Sequence, residues 1–137
     1  MSQPFTVELA NRPGELARLA RGLAVRNIDI RHLAGGSHGN GGWAFLTTDN
    51  EEATREALRD MHLRFMEGAT VVAEVEDHPG ALADLSERLA QAGVNIEGVL
   101  IVGHRGSKVE IAFSVDDERR ARDVLGSAVT LASSSIR

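Results

Sequence analysis

Apolar and polar residues alternate in some short segments of the chain and follow a helical spacing in others. Residues 6–9 and 71–75 alternate, as half-buried β-strands do. After each of them, apolar residues recur every three or four positions: Leu16, Leu19, Ala20 and Leu23 in the first half and Leu82, Leu85 and Leu89 in the second. That spacing places the apolar side chains on one face of a helix. Both halves are therefore predicted to begin with a strand and an amphipathic helix.

The same order of elements continues after each predicted helix. A second strand, a glycine-rich turn and a third strand follow, at 28–33, 35–42 and 43–48 and again at 94–102, 103–107 and 109–115. Acidic residues, which favour a helix N-terminus, then introduce a second helix, and short final strands are predicted at 63–66 and 129–132. The order β-α-β-β-α-β is the ferredoxin-like α+β fold, in which two helices cover one face of a four-stranded antiparallel sheet.

The two halves are copies of one pattern, aligned at an offset of 66 residues. Pro13-Gly14 falls on Pro79-Gly80, and the leucines of the first helix fall on those of its counterpart. After the second strand the match needs one more residue, so the two hairpin loops are expected to differ in length. Self-similarity of this kind indicates two structural units, which we predict at residues 1–67 and 68–137.

Composition narrows the kind of protein. Hydrophobic residues make up 42% of the chain and aromatic residues only 4%, so the cores are expected to be aliphatic. The net charge is −5 and the basic residues are scattered, which argues against nucleic-acid binding. The absence of Cys excludes disulfides and thiolate metal sites. With no signal peptide and no apolar run of membrane-spanning length in the sequence, we expect a cytoplasmic protein with no membrane partner.

Polar residues and a Pro-Gly pair separate the first strand and helix of each copy. Asn11 and Asp77 can cap the helix, and proline is tolerated in the first helical turn, where its missing N–H has no partner to lose. The same two side chains can instead bind a ligand, and both interpretations are open. Asn27 and Gly93 tolerate left-handed backbone geometry and are expected to end the helices.

These motifs resemble the ACT domain family. The pattern is a strand, then Asn/Asp-x-Pro-Gly-x-Leu, an amphipathic helix and Asn/Gly-Ile/Val-Asp/Asn-Ile; it occurs at 11–16 with 27–30 and again at 77–82 with 93–96. The resemblance covers nearly the whole chain and implies a tandem ACT-domain protein that binds an amino acid or similar metabolite. It also implies units paired side by side, with effectors between the strand-to-helix loop of one and the second strand of its neighbour.

The resemblance suggests one neutral and one acidic ligand site. Glycine lets a ligand approach the backbone, and N–H groups at a helix start attract a carboxylate. Pairing each loop with the strand start of the other copy joins Asn11 to Asn95, which suits a zwitterion, and Asp77 to Asp29, which repels a carboxylate. The predicted site comprises Asn11, Arg12, Pro13, Gly14, Glu15, Leu16, Asn95 and Ile96, and the secondary site comprises Asp29, Asp77, His78, Pro79, Gly80 and Leu82.

Other patterns indicate no catalytic or metal site. The glycine-rich run 35–42 precedes a strand instead of a helix, so it indicates a mobile hairpin loop and not a phosphate-binding loop. The five histidines lack ligand spacing, and His38 and His104 are expected to take equivalent hairpin positions. No catalytic residue, metal ligand or cofactor is predicted.

Three classes of function are compatible with the sequence. The first is an effector-binding regulatory protein that acts in trans on a partner enzyme or regulator, because the two copies account for the whole chain. The alternative is a non-binding scaffold or oligomerisation subunit built from ACT folds. A small enzyme is disfavoured because no titratable residues cluster, although a fold alone does not decide function. A homodimer is expected, since small sheets leave edges to cover.

Overall fold

The computed structural model describes residues 2–129. These residues form two compact units, Ser2–Glu67 and 68–129. The first unit contains β1 (Phe5–Ala10), α1 (Glu15–Ala24), β2 (Ile30–His38), β3 (Gly41–Thr48), α2 (Glu51–Asp60) and β4 (Phe65–Glu67). The second contains β5 (Ala69–Glu76), α3 (Ala81–Gln91), β6 (Ile96–Arg105), β7 (Lys108–Val115), α4 (Glu118–Leu125) and a short 3₁₀ helix (Gly126–Ala128). The predicted order of elements is confirmed in the first unit and, as far as α4, in the second.

Each unit has one antiparallel sheet, as the α+β prediction requires, with the predicted four strands in the first unit and three among the described residues of the second. The strands of the first sheet lie in the order β2-β3-β1-β4, and those of the second in the order β5-β7-β6. The final strand predicted at 129–132 is represented by Val129, which forms an isolated antiparallel bridge with Ala73. Residues 130–132 lie outside the described residues.

The core of each unit is mostly aliphatic and lies between its helices and its sheet. In the first unit it is built around Phe5, Val7, Leu19, Leu23, Leu46 and Leu58. In the second it is built around Val71, Leu85, Leu89, Ile111, Phe113 and Leu125. The leucines whose helical spacing predicted α1 and α3 supply the buried faces of these helices, except for the first of each set. Leu16 and Leu82 are instead exposed.

The helix ends follow local sequence chemistry. Asn27 and Gly93 have φ values of 58° and 75°, and they end α1 and α3 as predicted. At the start of α2, the Asn50 side chain accepts a hydrogen bond from the Ala53 N–H at 2.9 Å. Asp117 does the same for the Arg120 N–H of α4 at 3.0 Å. These caps satisfy N–H groups that have no partner within the helix.

The glycine-rich hairpin differs from its prediction. Residues 35–38 belong to β2 and pair with 41–44 of β3. The prediction of a mobile loop over 35–42 is therefore wrong. Only Gly39 and Asn40 form the turn, and Gly39 has the φ of 61° that favours glycine. Cross-strand backbone pairing has overridden the weak strand propensity of glycine, which depends strongly on context.

The extra residue of the second copy lies within a strand. Both hairpins turn in two residues, Gly39–Asn40 and 106–107. The register of β6 shifts between Ile101 and Gly103, as it does in a β-bulge. The prediction that the hairpin loops differ in length is therefore wrong. His104 pairs with Val109, a position equivalent to Ser37 and not to His38.

An ion pair between Arg55 and Glu67 should make the stability depend on pH. Arg55 contacts the Glu67 carboxylate through two hydrogen bonds of 2.6 and 2.7 Å, which joins α2 to the edge strand β4. The hydrogen bond from Arg55 lowers the pKa of Glu67. The ion pair therefore stabilises the folded state at pH values above the ordinary pKa of glutamate. This stabilisation is lost as the pH falls through the lowered pKa of Glu67. Glu67→Gln should therefore reduce the free energy of unfolding at pH 7 by about 0.5–1 kcal/mol.

Thermal unfolding at pH 7 and at a pH low enough to protonate Glu67 checks this prediction. Wild type and Glu67→Gln should differ only at the higher pH. Glu56→Gln, which changes an exposed residue of α2, is the control and should behave as wild type. An equal loss for Glu67→Gln at both pH values would contradict the electrostatic explanation.

Candidate functional site

The loop between β1 and α1 turns through a glycine in left-handed geometry. Gly14 precedes α1 with a φ of 92°, and Gly80 precedes α3 with a φ of 99°. Any other residue would be strained there, so the backbone explains why both copies of the motif contain glycine. The helices begin at Glu15 and Ala81. Proline therefore lies in the turn before the helix, and its predicted place in the first helical turn is wrong.

Asn11 and Asp77 hold their loops against the hairpins and do not cap the helices. The Asn11 side chain donates a hydrogen bond to the Gly39 carbonyl at 2.9 Å, and its N–H donates to the Asn40 carbonyl at 2.9 Å. The Asp77 N–H donates to the Ser107 carbonyl at 2.9 Å, and its carboxylate lies 3.3 Å from His104 Nε2. The capping interpretation is thus wrong for both residues, and the loop of each unit is fastened to its own hairpin.

A cavity of about 360 Å³ lies in the first unit between the start of α1 and the hairpin ends of the strands. This volume lies at the small end of the range for ligand pockets. The residues that line it are Leu9, Ala10, Asn11, Arg12, Glu15, Leu16, Leu33, Ala34, Gly35, Gly36, Ser37, Gly42, Trp43 and Ala44. The cavity therefore combines part of the predicted loop site with strand residues that the sequence did not suggest.

Small residues on the helix-covered face of the sheet create this space. Gly35 pairs with Ala44, and Gly42 pairs with Leu9, so these positions share the face that carries the core. In the second unit the equivalent pairs are Ile101 with Ile111 and Val109 with Val75. Val109 and Ile111 are buried there. Larger side chains in the second unit thus occupy the positions that remain small in the first.

The charge in the cavity comes from one ion pair. Arg12 Nε lies 2.9 Å from Glu15 Oε2, and an Arg18 guanidinium nitrogen lies 3.7 Å from Glu15 Oε1. Glu15 is only 8% exposed, whereas the Arg12 side chain is 68% exposed. The hydrogen bond from Arg12 lowers the pKa of Glu15, so this carboxylate is ionised at neutral pH. A ligand meets an inner negative charge and an outer positive charge.

The structure brings together only part of the predicted site. Asn11, Arg12, Glu15 and Leu16 line the cavity, whereas Pro13 and Gly14 shape the loop without lining it. Asn95 and Ile96 belong to the second unit, at the start of β6. The proposed grouping of these residues with the loop of the first unit stays a prediction.

Within one unit, the loop and the start of the second strand lie at opposite ends of the sheet. Ala10 pairs with Gly41 and Ile30 with Thr48, the two ends of β3. The backbone N–H of Asp29 donates to the Asp49 carboxylate at 3.0 Å, and that of Asn95 donates to the Asp116 carboxylate at 2.9 Å. Because the donors are backbone N–H groups, these contacts hold the start of each second strand but do not involve the side chains of Asp29 and Asn95.

The secondary site has internal partners for its polar side chains. Asp77 pairs with His104, and His78 Nδ1 lies 2.7 Å from the carbonyl oxygen of Pro79. Leu82 is exposed beside this loop. Whether these residues also bind a ligand stays a prediction.

Sequence reasoning did not identify the strand half of the cavity, namely Leu9, Leu33, Gly35, Gly42 and Ala44. One available signal was the comparison of the copies, because the glycines at 35 and 42 are equivalent to Ile101 and Val109. The prediction that both glycines belong to a loop concealed this difference in side-chain size between the two copies.

Two properties of the described residues bear on other kinds of site. Among residues 2–129, no three His, Asp or Glu side chains are grouped so that they could hold a metal ion. None of the helices in this range has the length and apolar character needed to cross a membrane.

The fold and cavity define a pair of ferredoxin-like α+β units, of which the first has space for a small ligand. Residues 69–125 match the ACT domain family. The match covers most of the second unit, and the first unit has the same order of strands and helices up to its second helix and the same Pro-Gly turn. The fold thus has the tandem form that the resemblance implied. No sequence among the curated proteins matches this one.

Solved structures with the same fold span nearly the whole chain. Protein BT0572 from Bacteroides thetaiotaomicron has a TM-score of 0.76 and 21% identity, and the match covers 96% of this chain and 93% of that one. The regulatory subunit of aspartate kinase from Thermus flavus has a TM-score of 0.63 and 17% identity, with 92% of each chain covered. Its counterpart from Thermus thermophilus has a TM-score of 0.60 and 16% identity, with 90% of this chain and 87% of that one covered.

Proposed function

We propose that this chain is an effector-binding regulatory protein, and that the effector is an amino acid bound in the cavity of the first unit. The observation that carries the proposal is the cavity itself, which places Arg12 and Glu15 at the end of an otherwise uncharged space. Output is proposed to occur in trans, through a partner enzyme or regulator. A homodimer in the cytoplasm is part of the same proposal.

The charges of the cavity complement those of a free amino acid. The Arg12 guanidinium has donors beyond the one that contacts Glu15, and it can bind the carboxylate of the ligand. The Glu15 carboxylate, ionised and largely buried, can accept hydrogen bonds from the ammonium. A molecule with only one of these groups leaves a charge of the site without its partner, which lowers affinity.

The comparisons support regulation more than catalysis. Regulatory subunits of aspartate kinase share the fold of this chain, and an ACT domain makes up most of its second half. A scaffold that binds no ligand is the alternative. Ligand-dependent stability distinguishes the two functions, because a molecule that binds only the folded state raises the unfolding temperature.

A thermal-shift screen of the twenty amino acids tests the proposal. At least one, at a concentration far above its dissociation constant, should raise the midpoint by about 4 °C or more. Titration calorimetry should then detect saturable binding of the same ligand. The amide and the N-acetyl derivative of that amino acid are the controls and should bind more weakly. If no amino acid shifts the midpoint at millimolar concentration, the scaffold function is correct.

Titration of four alanine variants with the same ligand tests the proposed grouping of loop and strand residues. Asn11→Ala should weaken binding by roughly 1–3 kcal/mol, since a charged ligand group loses a hydrogen-bond partner. Asn95→Ala should weaken it by a similar amount if the predicted grouping with Asn95 holds. Asp29→Ala and Asp77→Ala should weaken it less. Equal losses at all four positions would overturn the grouping, and a loss for Asn11→Ala alone would confine the site to the first unit.

A further inference from the structure

We infer that the effector carries an aliphatic side chain, which packs in the cavity against the small residues Gly35, Gly42 and Ala44. This inference rests on the proposed function, since it specifies the ligand of the same cavity. It follows from a difference between two units of the same fold. The second unit has Ile101, Val109 and Ile111 where the first has these three small residues.

The equivalence of these positions comes from the strand register. In the hairpin of the first unit, Gly35 pairs with Ala44 across the strands. The pair at the same place in the hairpin of the second unit is Ile101 with Ile111. The third strand of each unit also pairs with the first strand of that unit. There, Leu9 pairs with Gly42 in the first unit, and Val75 pairs with Val109 in the second. Val109 and Ile111 are packed in the core of the second unit. Ile101 is 55% exposed, so the contacts that an aliphatic ligand group would restore in the first unit are chiefly those of Val109 and Ile111.

The remaining walls favour an apolar group. Leu16 and Leu33 line the cavity and are 52% and 44% exposed in the free protein. A ligand that covers them removes apolar surface from water, which is the main source of favourable free energy in such contacts. Among the described residues that line the cavity, only Arg12 and Glu15 carry a charge. Arg12 and Glu15 are proposed to bind the carboxylate and the ammonium of the ligand. A charged group on the ligand side chain would therefore lose its water without gaining an oppositely charged partner.

A homologous series of amino acids tests this inference without changing the protein. Alanine, 2-aminobutyrate, norvaline and norleucine differ by one methylene at each step, and each step should tighten the dissociation constant about two- to fourfold. Aspartate and lysine should bind more weakly than norvaline. A dissociation constant that does not change along the series, or is lowest for aspartate or lysine, would overturn the inference. It would leave the proposed function intact, whereas failure of every amino acid to bind would overturn both.

Filling the cavity provides a second test. Ala44→Ile introduces the residue found at the equivalent position of the second unit. It should weaken norleucine binding at least tenfold and alanine binding much less, so that the preference for long side chains disappears. Ala17→Ile makes the same change on the exposed face of α1 and should leave both constants unchanged. Circular dichroism verifies that the variants fold. A norleucine preference that persists in folded Ala44→Ile would contradict the assignment of this cavity.

Discussion

Phe113→Ala is expected to reduce the free energy of unfolding by about 3–5 kcal/mol. Phe113 is fully buried in β7, within the core cluster of the second unit. Removing its ring loses apolar burial and leaves a void that the surrounding side chains fill only in part. Domains of this size are stable by only a few kcal/mol, so the variant should lose most of the stability of its unit. Urea unfolding followed by circular dichroism measures the change.

Phe113→Leu is the matched control, because the equivalent residue of the first unit is Leu46. Leucine retains most of the apolar volume and should cost less than about 1.5 kcal/mol. The difference between the two variants separates the effect of the void from the effect of changing any residue at this position. A loss below about 1 kcal/mol for Phe113→Ala would mean that the ring is not packed as described.

The order of elements could be predicted because its determinants lie close together in the sequence. Leu19 and Leu23 are one helical turn apart on the buried face of α1, and their counterparts Leu85 and Leu89 have the same arrangement in α3. Gly93 ends its helix through its own backbone preference. Such local rules apply twice in this chain, and each copy supports the interpretation of the other.

The hairpins could not be predicted in this way. Gly35 and Gly36 have no side-chain pattern that distinguishes a strand from a loop, and their state is set by pairing with Ala44 and Trp43. The shift of register beside Gly103 likewise depends on the partner strand. The sequence showed that one residue had been added, but its position inside a strand followed only from the hydrogen-bonded register.

The residues of the candidate site could likewise be predicted only where they belong to a local motif. Arg12 and Glu15 were found because they belong to a contiguous loop motif, and the structure places both at the cavity. The cavity itself is lined by residues of three strands, among them Leu9 of β1, Gly35 of β2 and Gly42 of β3. A void is a property of how side chains from distant segments fill a volume, so no motif records it. Comparing the two copies in register makes it visible.

Arg12→Ala is expected to weaken effector binding about 10- to 100-fold, which corresponds to roughly 1.5–3 kcal/mol. Arg12 is proposed to bind the ligand carboxylate, and it also donates the hydrogen bond that lowers the pKa of Glu15. The variant therefore loses one charged contact directly and leaves the carboxylate of Glu15 without its main cation. Titration calorimetry with the amino acid from the screen measures the loss.

The repeat supplies the control for this experiment. His78 occupies the position of Arg12 in the second unit, where its ring contacts the carbonyl of Pro79 in its own loop. His78→Ala should leave the affinity unchanged if the cavity of the first unit binds the effector. Arg12→Lys retains the charge but not the forked geometry, and it should fall between wild type and Arg12→Ala. If His78→Ala weakens binding as much as Arg12→Ala does, the effector is not held by the first unit alone, and the assignment of the cavity is wrong.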